Sequence, residues 1–482
     1  MSPFQKFLAN ISWTVLGKIA VQIVLFTISI LLTRYLGKKS LGDYATLLVI
    51  PVFMRLLNSF GFEALINTKL PALNIRDSSG SEGRYLVSRL LALRLTTTFL
   101  FCFLIYYCLP FYLNLIHRPE FIEFRWVLIF YFVAITFDSI LSTLFMTLLR
   151  FKLLVKIETF SALINLIFLI IFIHLDYGIY GVLYAYITSL VISCLLYLIL
   201  ARDQYLGPIK KPKCENMKHL AWVSYGIAFL SFGLMTQSDV LMMSFFKVSV
   251  ENIGLYHLAS GLSATMVFLL SGVAPMALSL FSEEFEKDGI KGLASLYCKI
   301  VGLSSYLTVP IYVFCIFNAE ALINFIYGTS FKEAYLALII FAAFSGIQTA
   351  LGNNFSISIL YVIKKRNAAI RTTVEGSILN IVLNFLLIPA IGMLGAVIAT
   401  GVTMIYMIAR QLKIISKEMK IAPVFPAIGQ CFFYCLLASI LPLILTLMDF
   451  NHLITNLILY LIALILILVW VKPFSHLKSI LN

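Results

Sequence analysis

Apolar runs of about twenty residues recur along the whole chain, separated by short hydrophilic breaks. An α-helix needs about that many apolar residues to cross a bilayer. By this rule the chain is an all-α membrane protein with about fourteen transmembrane helices. They fall near residues 11–32, 41–66, 85–108, 126–148, 158–175, 178–200, 220–246, 252–280, 293–317, 332–360, 372–389, 391–412, 424–447 and 453–471. The breaks at 175–178 and 389–391 are tight turns marked only by Asp176 and Pro389.

Composition agrees with that pattern. The 482 residues are 61% hydrophobic and 12% charged, with a mean hydropathy of +0.98. A soluble domain carries roughly 25% charged residues, so a string of soluble domains is excluded. Forty Phe and 24 Tyr suit rings in lipid or at its interface. The net charge of +14 sits in short breaks such as Lys210-Lys211-Pro212-Lys213 and Lys364-Lys365-Arg366. None of them is long enough to fold as a nucleic-acid module, so no nucleic-acid partner is expected. Seven of the eight cysteines lie in apolar stretches, and only Cys214 is in a loop. They read as packing residues without a disulfide framework. The first run carries Lys18 and lacks a small-residue cleavage site, so it reads as a retained span and not as a signal peptide.

With the N-terminus in the cytoplasm, 24 Lys and Arg fall in cytoplasmic segments and 7 in external ones. The positive-inside rule therefore places both termini in the cytoplasm. The chain also repeats itself. Leu41-Gly42-Asp43-Tyr44 returns as Ile253-Gly254-Leu255-Tyr256, and RFKLLVKIETFSALIN (150–165) aligns with KRNAAIRTTVEGSILN (365–380). GIYGVLYAY (178–186) aligns with GMLGAVIAT (392–400). A shift of six spans keeps the repeat parallel in the membrane, and such halves can rock about a shared cavity. The expected organisation is an N-terminal lobe of spans 1–6 (1–200), a cytoplasmic linker (201–219), a C-terminal lobe of spans 7–12 (220–412) and two additional spans (413–482).

These residues resemble the polysaccharide-transporter family, the O-antigen (Wzx-type) flippases of the multidrug/oligosaccharidyl-lipid/polysaccharide superfamily. The resemblance rests on Arg34-Tyr35-Leu36-Gly37 with Gly42-Asp43-Tyr44, and on Gln237-Ser238-Asp239 followed by Ile253-Gly254-Leu255-Tyr256. It continues through Tyr327-Gly328, Phe331-Lys332-Glu333-Ala334, and Ile388-Pro389 with Gly392-Met393-Leu394-Gly395-Ala396. It implies a two-lobed, MATE-like bundle that flips undecaprenyl-diphosphate-linked oligosaccharide repeat units outward by alternating access. The membrane would be the bacterial inner membrane. The implied partners are that lipid-linked oligosaccharide, membrane lipids, and the polysaccharide polymerase with its chain-length machinery.

Charged residues inside spans cost roughly 2.5–3.5 kcal/mol each on insertion scales, so they mark a watery cavity or one another. Lys18 shares a face of span 1 with Thr14, Gln22, Ser29 and Thr33. Arg55 lies mid-span with Asn58, Ser59 and Glu63, and Arg94 lies in span 3 beside Thr97 and Thr98. Lys18, Arg55 and Arg94 share one depth and form the expected diphosphate-binding set, since Lys and Arg hold phosphate oxygens by charge-assisted bonds. Arg89, four residues from its loop, is expected to snorkel. Asp138, at the centre of span 4, is a counter-ion or an ion-coupling group. Asp239, near the outer end of span 7, is a functional or a packing residue. Lys299 is a weaker cavity candidate in the second half, as is His257.

No metal cluster, nucleotide-binding glycine loop or nucleophile–base pair is present in the sequence, so no cofactor and no enzymatic chemistry is expected. Energy must then come from an ion gradient or from consumption of the product outside. Two rivals stand against this reading. One is a lipid-II flippase or a drug/cation antiporter of the same superfamily. The other is a membrane polysaccharide polymerase or ligase, which would need larger external loops than 109–125 and 318–331.

Overall fold

A computed structural model describes residues 3–77, 79–212, 217–271, 274–447 and 453–471. The Thr14 side chain, Lys213 and Cys214 lie outside the described residues, as does the C-terminal stretch from 472. Among the described residues every regular element is a helix. The chain divides into two compact units, 1–254 and 255–482.

The first unit holds α1 (Pro3–Leu57), α2 (Phe62–Arg76), α3 (Ser81–Leu115), α4 (Arg125–Thr147), α5 (Phe151–His174), α6 (Gly178–Leu200), α7 (Met217–Leu230), α8 (Thr236–Phe245) and the start of α9 (Val250–Ser271). The second holds the rest of α9, then α10 (Ala274–Phe317), α11 (Ala319–Ile326), α12 (Tyr335–Ala350), α13 (Asn353–Val362), α14 (Arg366–Ile391), α15 (Met393–Glu418), α16 (Val424–Leu447) and α17 (Leu453–Val471). Among the described residues ten helices are long and apolar enough to cross a membrane, or eleven if the α7–α8 pair, bent by 60°, is one broken span. The fourteen spans expected from the sequence do not map one-to-one onto helices. Spans 1 and 2 run together in α1 across Gly37, whose φ of 71° kinks the helix. The end of span 2 becomes the separate α2, and α17 is a shorter apolar helix.

Local chemistry accounts for the family-like motifs. In Arg34-Tyr35-Leu36-Gly37, Tyr35 Oη donates to Asp176 Oδ1 at 3.0 Å and accepts from the Gly178 N–H at 2.8 Å. That pair of bonds ties α1 to the α5–α6 turn. Gly42 and Gly254 meet directly: a Cβ on Gly42 would stand 1.9 Å from the Val250 carbonyl, and one on Gly254 would stand 2.4 Å from the Lys38 carbonyl. Residues without side chains are what let two helix backbones approach so closely.

The repeat extends beyond what the sequence alignment showed. Each unit has a 3-10 turn leading into a long helix, Pro119–Phe124 before α4 and Thr329–Ala334 before α12. Leu149 and Lys364 both adopt left-handed backbone (φ 55° and 61°) just before α5 and α14. The basic residue that follows each pairs with an acid 53 residues downstream, Arg150 with Asp203 at 2.6 Å and Lys365 with Glu418 at 2.9 Å.

Helix α3 shows how a span sorts its faces. Leu95, Phe99, Phe103, Tyr107 and Phe111 recur every four residues and are exposed, Phe99 by 78%. Leu90, Arg94, Thr98, Ile105 and Leu109 form the opposite, buried stripe. A large apolar row facing outward is what a lipid-facing surface requires.

Candidate functional site

The first unit gathers six charged side chains from five helices into one network. Its origin is the break between α1 and α2. Phe60 and Gly61 take left-handed backbone there (φ 45° and 72°), and the helical ladder stops. The break leaves the Asn58 carbonyl without a helical donor and puts Glu63 in the first turn of α2, where the helix dipole favours an acid. Arg94 of α3 takes both. Its Nη1 donates to the Asn58 carbonyl and its Nη2 pairs with Glu63 Oε1. The guanidinium also lies 5.1 Å from the centroid of the Phe62 ring. Arg94 is fully buried.

From Glu63 the network continues to α4 and back to α1. Ser139 Oγ donates to Glu63 Oε1 at 3.2 Å and accepts from Arg55 Nη1 at 3.2 Å. Arg55 is only half-buried, and its Nε is shielded without a hydrogen-bond partner. Asp138, the neighbour of Ser139, accepts from Ser193 Oγ of α6 at 2.6 Å and lies within electrostatic range of Arg55. Glu158 of α5 lies within range of both Asp138 and Lys18. Asn58 Nδ2 closes the arrangement with a 2.9 Å bond to Thr98 Oγ1. Lys18, Arg55 and Arg94 are thus balanced by Glu63, Asp138 and Glu158. Such balance is how charges are tolerated at membrane depth.

The three expected cations therefore enter one network but not one environment. Arg94 is sealed and paired, whereas Arg55 and Lys18 keep partial exposure. Gln22, one turn beyond Lys18, is also half-buried, while Asn58 is fully buried at the helix break. Asp239 is buried in the first turn of α8, just after the bend. Lys299 lies half-buried on α10 of the second unit. Sequence reasoning missed Glu63 as the partner of Arg94, having weighed it only against Arg55. A spacing of 31 residues carries no periodic signal; only the α2–α3 packing creates the pair. It also missed the Ser139 and Ser193 relays and the place of Glu158 between Lys18 and Asp138. The second unit has a smaller counterpart on α14, where Glu375 accepts from Tyr406 at 3.0 Å and pairs with Arg410 at 3.2 Å.

Comparison with known proteins adds the following. A family described as "Polysaccharide biosynthesis protein" matches residues 31–336. The protein described as "Probable low-salt glycan biosynthesis flippase Agl15", from Haloferax volcanii, is 24% identical over 252 residues, which is 51% of this chain and 52% of the relative. "Probable flippase AglR" from the same organism is 22% identical over 262 residues, 53% of each. The chain spans about half the length of the curated relatives it matches. Among solved structures, a lipid II flippase MurJ in an inward closed conformation superposes with a TM-score of 0.75 at 18% identity, over 95% of this chain and 99% of that one. An inward-facing multidrug resistance MATE family transporter superposes with a TM-score of 0.64 at 13% identity, over 84% and 98%. At such identities these two structures establish the fold, which is the one shared by MurJ and MATE.

Proposed function

The chain belongs to the polysaccharide biosynthesis protein family, and from that premise we propose that it is a flippase for lipid-linked oligosaccharide and not a glycan-forming enzyme. Two relatives are described as glycan or general flippases, and the fold is that of transporters. The finer reading is that the cargo is an undecaprenyl-diphosphate-linked repeat unit of O-antigen or a related surface polysaccharide. It crosses the bacterial inner membrane from the cytoplasmic to the periplasmic leaflet by alternating access. Both termini then lie in the cytoplasm, and the polymerase with its chain-length machinery takes up the product.

One observation supports this reading above the others: Arg55 sits only half-buried within an apolar span, with its Nη1 held by Ser139. A partly exposed guanidinium is suited to phosphate oxygens. In this reading Lys18 and Arg55 touch the diphosphate, with Gln22 beside them. Arg94 is a positioning residue, acting through Glu63 and Ser139. Asp138 answers the charge of Arg55 when the cargo leaves. Asp239 and Lys299 are the further candidates for coupling or cargo contact.

The test is transport of a lipid-linked oligosaccharide from the inner leaflet of cells or proteoliposomes. A charge-assisted contact is worth roughly 1.5–3 kcal/mol, so Arg55→Ala should weaken cargo binding about ten- to a hundredfold while the protein stays in the membrane at normal abundance. Arg55→Lys should lose less, because it keeps the charge and gives up only the planar fork. Accumulation of lipid-linked repeat units on the inner leaflet of a deletion strain separates this reading from a drug antiporter. Accumulation of lipid II instead would assign the cargo to the cell-wall precursor.

A further inference from the structure

A second feature of the first unit lies outside that network. A groove of about 520 Å³ runs between α2, α3 and α7, roofed by the linker segment at Lys211. Its walls are Leu65, Leu90, Leu93 and Trp222, and Arg89, Lys211 and Lys218 also line it. Among the described residues the lining contains no acidic side chain. All three cations are exposed, and among the described residues none makes an ion pair or a side-chain hydrogen bond. The segment that carries Lys211 is fixed in place: Arg84 Nε donates to the Pro208 carbonyl at 3.0 Å, and the Lys210 N–H donates to the Ser81 carbonyl at 3.2 Å. The cationic side is therefore built by the fold.

We propose that this groove is a loading site for the polyprenyl-diphosphate end of the cargo, with the diphosphate at Arg89, Lys211 and Lys218 and the prenyl chain along the apolar wall. The proposal rests on the flippase reading above. Three cations along one groove suit the doubly charged diphosphate better than the single phosphate of an ordinary phospholipid, and a single trough suits one chain. The groove also adjoins the charged network. Phe62 lines it and lies under the Arg94 guanidinium, and Thr97 lines it one residue from the Thr98 that bonds Asn58. One aromatic ring thus separates the groove from the Arg94–Glu63 pair. Arg89, which sequence reasoning set aside as a snorkelling residue, then contacts the cargo first.

The test uses the full-length protein in zwitterionic nanodiscs with farnesyl diphosphate as the probe. The Arg89→Gln/Lys211→Gln/Lys218→Gln variant should bind it about a hundredfold more weakly, at roughly tenfold or less per cation removed. Its thermal midpoint should hold, since the three exposed side chains bond to none of the described residues. Trp222→Ala should weaken farnesyl diphosphate but not inorganic diphosphate. The proposal is overturned if the triple variant binds like the parent. It is also overturned if inorganic diphosphate binds as tightly as the prenyl compound, or if phosphatidylglycerol displaces the probe at equal concentration. Transport that persists unchanged in the triple variant would sink the loading site alone. Binding in the groove by a protein that never moves lipid-linked glycan would instead sink the flippase reading.

Discussion

Arg94 gives its charge to Glu63 and to the Asn58 carbonyl, and none of it reaches solvent. Arg55, on α1, donates to Ser139 and lies within electrostatic range of Asp138. Removing one partner of a buried ion pair leaves the other charge stranded, at about 3–5 kcal/mol. Glu63→Gln should therefore lower both membrane abundance and the thermal midpoint in detergent. The Glu63→Gln/Arg94→Met double variant should recover part of that loss, and a double-mutant cycle would show the coupling. Arg55→Ala should cost stability only on the order of 1 kcal/mol, the worth of one hydrogen bond, while transport falls. A further residue-scale effect lies outside the spans. Asp77 accepts from Ser79 Oγ at 2.6 Å, from the Glu82 N–H at 3.0 Å and from Ser81 Oγ at 2.7 Å. These bonds hold its carboxyl well below the usual carboxylate range. A depressed pKa means that the stabilisation is present at neutral pH and fades as pH falls through and below the ordinary Asp range. Asp77→Asn should remove that pH dependence, read as hydrogen exchange at the start of α3. The charges in spans were legible in the sequence because each is costly in lipid. Their partners were not: Glu63, Ser139 and Ser193 come from separate helices, and no periodicity links them.

At the scale of elements, the crossing at Gly42 and Gly254 sets the approach of α1 and α9. A methyl group on Gly42 meets a backbone carbonyl, which cannot move aside as a flexible side chain would. Gly42→Ala should therefore lower the thermal midpoint more than Gly226→Ala, since a Cβ on Gly226 meets nothing within 4 Å. Equal effects would mean that the close crossing does not bear on stability. The sequence pointed to these glycines only as a repeated motif, without indicating that the two copies touch. Helix number suffered from the same limitation. Hydropathy finds apolar length, but it does not register that Gly37 lets α1 continue through a kink, or that Ser231–Leu234 breaks the helix between α7 and α8. Tight turns fared better. Asp176 marked the α5–α6 break, where it takes φ 52°, whereas the break expected at Pro389 falls at Gly392 (φ 59°), with Pro389 inside α14.

At the scale of the whole molecule, the repeat is carried by backbone conformation and ion pairs as much as by sequence. Arg150–Asp203 and Lys365–Glu418 recur at one spacing although both partners differ, Arg against Lys and Asp against Glu. Conservative exchange preserves the bond and erases the alignment, so only patches of the repeat were readable. Orientation rests on a separate argument, the excess of Lys and Arg in alternate breaks. The structure supplies a geometric partner for it. The turn at 77–81 and the linker at 205–212 are bonded to one another through Arg84 and Lys210, so they must lie on one side of the membrane. His117 and Lys247 belong to breaks assigned to the other side. In a cysteine-free background, Ser79→Cys and Leu206→Cys should react with an impermeant maleimide only after the inner face is opened. His117→Cys and Lys247→Cys should react in intact cells. If Ser79→Cys and Leu206→Cys label from opposite sides, the contact between turn and linker is wrong. If both label from outside, the contact stands and the orientation is inverted. The cations of the groove would then face the exit leaflet, and loading would have to occur elsewhere.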